Sequence, residues 1–75
     1  MERIEFDFRQ LTALIVAIFG SRKAFAEKMG ISKGTLSMRL NNKSRWPIED
    51  IMKACDLLCI DPKEIGIYFF TPKVR

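Results

Sequence analysis

Histidine is absent from this 75-residue chain, and cysteine occurs only twice, at Cys55 and Cys59. Zinc sites ordinarily take four Cys- or His-type ligands, so the chain has too few for one. Two cysteines also fall short of the framework that staples small secreted proteins. Spaced i,i+4 on an expected helix, they read as buried free thiols in a reducing cytoplasm, where free cysteine behaves as a small hydrophobe. Long apolar runs are missing too. The most apolar stretch, Leu11 to Phe19, is about half of the roughly 20 residues that a membrane span needs. The first eight residues, MERIEFDF, are charged and mixed, unlike a signal peptide. There is no P-loop-type glycine motif and no nucleophile–base pair, so no enzymatic activity and no cofactor are expected. No repeat or low-complexity tract interrupts the chain.

What remains is an ordinary globular composition, 48% hydrophobic and 29% charged, with a net charge of +4. A chain of this length makes a single domain, residues 1–75, that buries only about 60% of its unfolded surface. The charge is unevenly spread. Residues 22–46 hold seven basic side chains against Glu27 alone, a net +6, while the other fifty residues carry six basic and eight acidic groups, a net −2. Double-stranded DNA, with one phosphate charge per roughly 1.7 Å of axis, is the natural partner for such a segment.

The pattern predicts an all-α fold of five helices. Residues 2 to 6 alternate polar and apolar, which suggests an extended arm or short strand. Asp7 and Gln10 read as a capping pair for a first helix over residues 8–19, with Leu11, Leu14, Ile15, Ile18 and Phe19 inward and Gly20 ending it. Ser21 caps a second helix over residues 22–29, which buries Phe25, Ala26 and Met29. Gly30 supplies a positive-φ turn, and Ile31 plugs that turn into the core. Ser32 caps a third helix over residues 33–41, inward through Leu36 and Leu40. Asn41 to Ser44 form a loop. Pro47 opens a fourth helix, whose expected inner stripe is Ile48, Ile51, Met52, Cys55, Leu58 and Cys59. Asp61-Pro62-Lys63-Glu64 is a start signal for a short fifth helix ending near Phe69 or Phe70. The tail from Lys73 to Arg75 is expected to fray.

A helix, a tight turn and a helix, over residues 22–41, is the layout of a helix-turn-helix. The third helix would enter the major groove. Lys33 can donate to guanine O6 and N7, and Thr35 and Ser37 can bond base edges or phosphates. Thr35 or Met38 can meet a thymine methyl. Gly34 leaves room for a sugar-phosphate edge, and Arg39, expected to point outward, can reach a base or a phosphate. The N-terminus of the second helix is a ready phosphate site that Arg22 and Lys23 reinforce. Asn41, Asn42, Lys43 and Arg45 form a second clamp, which fixes register and reads little sequence. Plainer roles stand beside these. Lys23, Lys28 and Lys53 also read as solvated helix surface, and Ser21 and Ser32 as caps first. Met38 also reads as a surface or partner-packing residue, and Trp46, before Pro47, as a cover for the core.

Residues 25–32 (FAEKMGIS), followed by Thr35-Leu36-Ser37 and Leu40-Asn41, resemble the Cro/C1-type (XRE-like) helix-turn-helix of phage regulators. The run from Asp61 to Phe70 is similar, more narrowly, to a family of small phage and prophage Cro-like proteins. The resemblance implies a compact lambda-repressor-like domain and a cytoplasmic regulator that reads double-stranded operator DNA. Such regulators often bind as dimers; with no separate dimerisation domain, a homodimer of this chain would form through the fifth helix or the aromatic tail and be weak or formed on DNA. By position it assigns phosphate contact or support of the first recognition residue to Arg22, base or backbone contact to Lys33, Gly34, Thr35, Ser37 and Met38, and loop contacts to Asn41 and Asn42; any DNA contact by Ser32 is additional to its capping. Two departures stand out: Arg22 replaces the usual glutamine, and Arg39 occupies a position that is often apolar. A second function fits the same fold. The segment Ile67, Tyr68, Phe69 and Phe70 could dock on a partner repressor, making the chain an antirepressor or co-regulator.

Overall fold

The computed structural model describes residues 4–73. Residues 2 and 3 of the expected arm, and residues 74 and 75 of the expected frayed tail, lie outside the described residues. The chain folds as five α-helices: α1 (Arg9–Phe19), α2 (Arg22–Met29), α3 (Lys33–Leu40), α4 (Ile48–Leu58) and α5 (Ile65–Phe69), with a 3-10 turn at Pro62–Glu64 leading into α5. Among the described residues no strand forms. A single antiparallel bridge joins Phe6 to Pro72. The all-α, five-helix expectation is therefore met.

Local signals explain most of the boundaries. Ser21 Oγ accepts from the Ala24 N–H at 3.1 Å, and Ser32 Oγ accepts from the Thr35 N–H at 3.0 Å. Each satisfies one of the orphan donors at a helix start. Gly20 and Gly30 close α1 and α2 at φ 84° and 77°. The Gly30 turn is tied by Ile31 N–H donating to the Ala26 carbonyl at 3.0 Å, which carries Ile31 back towards the core. At the 3-10 turn, Asp61 Oδ1 accepts from the Lys63 N–H at 2.8 Å, with Pro62 in the first position. The start of α1 differs from expectation. Phe8 is its N-cap and makes no side-chain capping bond. Asp7 instead accepts from the Arg9 N–H at 2.9 Å and from the Arg9 guanidinium, so the Asp7–Gln10 box does not form.

The core is apolar throughout, with no buried polar residue among those described. Leu11, Ile15, Phe25, Leu36, Leu58 and Phe69 are its fully enclosed large side chains. α2 sits centrally and packs on α1, α3 and α4, while α5 packs on α1. Aromatic edges lock the layers: Phe19 on Phe25 at 5.3 Å between centroids, and Trp46 on Phe69 at 5.1 Å. Trp46 thus covers the core, as its position before Pro47 suggests.

Several expected core positions are outside it. Ile18 is 47% exposed, because α1 turns its Leu11–Ile15 side to the rest of the molecule. In α4 the buried set is Ile51, Ala54, Cys55 and Leu58, whereas Ile48, Met52 and Cys59 are exposed. At about 100° per residue, the buried four span roughly a 100° arc, and Ile48 and Met52 lie beyond its edge. The apolar stripe is wider than the surface that α1 and α2 offer it. Cys59 ends α4 in the left-handed conformation, at φ 56°. Lys53, expected as free surface, donates from Nζ to the Met29 carbonyl at 3.1 Å and satisfies the end of α2.

Candidate interface around α2 and α3

The Gly30 turn and the Ser32 cap set α3 so that Leu36 is buried and the opposite side is open. Lys33 and Gly34 are exposed, and Met38 is half exposed. Thr35 and Ser37 are partly covered. Thr35 is also engaged locally, since its Oγ1 accepts from the Ser32 hydroxyl at 2.9 Å. Arg22, Lys23 and Lys43 are exposed around this face, and Ser32, also exposed, acts as the cap. Asn41 is exposed and folds back on α3, donating from Nδ2 to the Ser37 carbonyl at 2.9 Å. Arg22, Lys23, Lys33, Met38 and Lys43 are thus open to solvent, whereas Thr35 and Ser37 are partly covered.

Two predicted contact residues have other roles. Arg39 does not point outward. Its guanidinium meets Asp50 at 2.6 Å, lies 5.6 Å from the centre of the Trp46 ring, and its side chain is only 12% exposed. The pull of a carboxylate on α4 and of an aromatic face outweighs the outward position that helical period suggests. Asn42 is not an open clamp. Its Oδ1 accepts from the Phe6 N–H and its Nδ2 donates to the Phe6 carbonyl, both at 2.9 Å. It holds the N-terminal arm against the end of α3, with its own backbone at φ 60°.

That clasp builds a cleft that local spacing does not reveal. A hollow of about 770 Å³ lies between the arm, the start of α2 and the end of α3, lined by Arg9, Arg22, Lys73, Asp7 and Asn41 among others. Arg9 and Lys73 join the site only through tertiary folding, so no motif could have named them. Asp7 lies in the same cleft. The hydrogen bond from the Arg9 side chain, and then that from its N–H, hold its carboxyl below the ordinary value. The same pairing holds the Arg9 guanidinium above its own. Elsewhere, burial pushes the Cys55 thiol up, with a smaller push from Asp56.

Over residues 4–72 the sequence matches the model of a family described as a protein of unknown function, DUF739. The chain belongs to the DUF739 family. This DUF739 member is also similar to a solved protein: the modulator of repression (MOR) of the temperate bacteriophage TP901-1 from Lactococcus lactis, in a solution structure. The two share 37% identity with a TM-score of 0.78, and the match covers 93% of this chain and 95% of that one. No curated protein sequence matches the DUF739 chain. These matches support a phage-regulatory context and accord with the narrower resemblance seen in residues 61–70. They do not extend to the Cro/C1 type specifically. No helix among the described residues is long and apolar enough to cross a membrane.

Proposed function

We propose that this chain is a phage-type modulator of repression that works in the bacterial cytoplasm by docking on a partner repressor protein, with no catalytic step of its own. The observation that carries this reading is the 37% identity, over 93% of the chain, to a protein whose own description is modulator of repression. The two internal assignments above also support it. Arg39 and Asn42, both counted as DNA contacts from sequence, are committed to holding the fold. Of the C-terminal segment, Phe69 is core and Tyr68 is half-buried, which leaves Ile67 and Phe70, 47% and 50% exposed, as partner contacts.

Direct operator reading is the second reading, and the open set Arg22, Lys33, Met38 and Lys43 favours it. One titration separates the two. The purified chain, the repressor encoded in the same phage or prophage genome, and their operator are combined pairwise and together in a gel shift. Isothermal titration of the two proteins runs alongside. Docking predicts a protein–protein complex without DNA, an altered repressor shift, and no sequence-specific shift by the chain alone. A Lys33-dependent, sequence-specific shift by the chain alone, with no repressor complex, would replace this reading with the DNA-reading one.

A further inference from the structure

The outer side of α4 displays apolar surface that the fold does not use. Ile48 is 74% exposed and Met52 55%. Spaced i,i+4, they stand one above the other on the helix. Glu49 and Asp56 fall in the same sector, three residues before and four after Met52, and both are exposed. Among the described residues neither joins an ion pair, since those pairs involve Asp7, Glu5 and Asp50. The other charges of α4 turn elsewhere: Asp50 to Arg39, and Lys53 to the Met29 carbonyl. The result is an apolar pair flanked by two carboxylates that make no ion pair among the described residues, with Lys53 of the same helix held towards the end of α2. Single exposed hydrophobes are unremarkable. An adjacent pair bordered by charge of one sign specifies a partner of the opposite sign.

Resting on the repressor-docking function above, we infer that this face of α4 seats a cationic amphipathic helix of the partner repressor. Two apolar side chains of that helix at i,i+4 meet Ile48 and Met52, and its flanking Lys or Arg residues pair with Glu49 and Asp56. Two helices packed face to face interlock through side chains at this spacing. The charges set orientation and speed encounter more than they add affinity. The site leaves the basic α2–α3 surface and the C-terminal pair Ile67 and Phe70 open, so it adds a contact rather than replacing one.

The test measures binding of the purified repressor by isothermal titration at low and at moderate salt, with sedimentation of the chain alone in parallel. Two double variants are compared with the native chain: Ile48→Ser with Met52→Ser, and Glu49→Lys with Asp56→Lys. All four side chains are exposed, so the variants should melt close to the native protein. Each should weaken repressor binding at least tenfold, and the charge reversal should also flatten its salt dependence. Native affinity in both variants, with loss confined to Phe70→Ser, overturns the α4 site while leaving the docking function intact. Self-association of the native chain that the α4 variants abolish, with repressor binding unchanged, reassigns the face to a second copy and also overturns it. Failure of the native chain to bind the repressor at all removes the docking function, and this site with it.

Discussion

A guanidinium that helical period leaves outward can still be drawn inward when a carboxylate lies within reach on the next helix. Arg39 and Asp50, eleven residues apart, make that contact at 2.6 Å with side chains only 12% and 27% exposed. Truncating one partner leaves the other partly desolvated and unpaired, which costs more than the pair itself contributes. Arg39→Ala is therefore expected to lower stability by about 2 kcal/mol. Adding Asp50→Ala should cost less than the sum of the two single changes. Urea denaturation of the three variants measures this, and strict additivity would show that the contact carries no coupling. The two thiols differ just as sharply. Cys55 is buried, and that burial pushes its thiol up, whereas Cys59 is exposed beyond the end of α4. A thiol-reactive dye should label Cys59 promptly and reach Cys55 only when the chain unfolds. Equal labelling rates in the folded protein would contradict the placement of α4.

At the scale of the element, what was legible in the sequence was what is decided locally. The caps Ser21, Ser32 and Asp61 and the Gly20 and Gly30 stops act within a few residues of themselves, and each is where its neighbours predict. The orientation of α4 was not legible, because its apolar stripe includes Ile48 and Met52 and only the packed neighbours decide which part is buried. The α2–α3 surface was legible in outline, since Leu36 fixes which side of α3 faces in. Within that surface Gly34 offers a clean experiment. Its backbone is ordinary helix, and an added Cβ would come no closer than 3.9 Å to its nearest neighbour, Ser32 Oγ. Glycine in a helix interior costs roughly 0.5–1 kcal/mol relative to alanine, and Gly34 sits in the first turn of α3, so Gly34→Ala should raise stability by about 0.5 kcal/mol or less in a thermal melt. If DNA or a partner backbone comes close at this position, the same substitution weakens binding. Stability and affinity then move in opposite directions, which separates a contact role from a structural one. A fall in stability would show that the start of α3 is packed more tightly than described.

Over the whole molecule, the basic middle is held between two ends that close on each other. Asp7 N–H donates to the Thr71 carbonyl at 2.7 Å and Lys73 N–H to the Glu5 carbonyl at 2.8 Å, beside the Phe6–Pro72 bridge. Asn42 ties this clasp to the end of α3 across 36 residues of sequence. A contact so distant has no local signature, which is why Asn42 read as a loop residue clamping phosphate. Its role has two separable parts, the paired hydrogen bonds to Phe6 and a left-handed backbone at φ 60°. Asn42→Ala loses the bonds and puts at φ 60° a residue that tolerates the left-handed conformation less well than asparagine, so it should cost about 2–3 kcal/mol. Asn42→Gly loses the bonds but relieves the backbone, and should cost about 1 kcal/mol less than alanine. In both, the Phe6 amide should exchange with solvent much faster, while the amides of α2, at the centre of the core, keep their protection. Should Asn42→Gly melt like the native chain with the Phe6 amide still protected, the pairing of the two ends holds the arm without Asn42. The cleft carrying Arg9, Arg22 and Lys73 would then owe its shape to the termini rather than to α3.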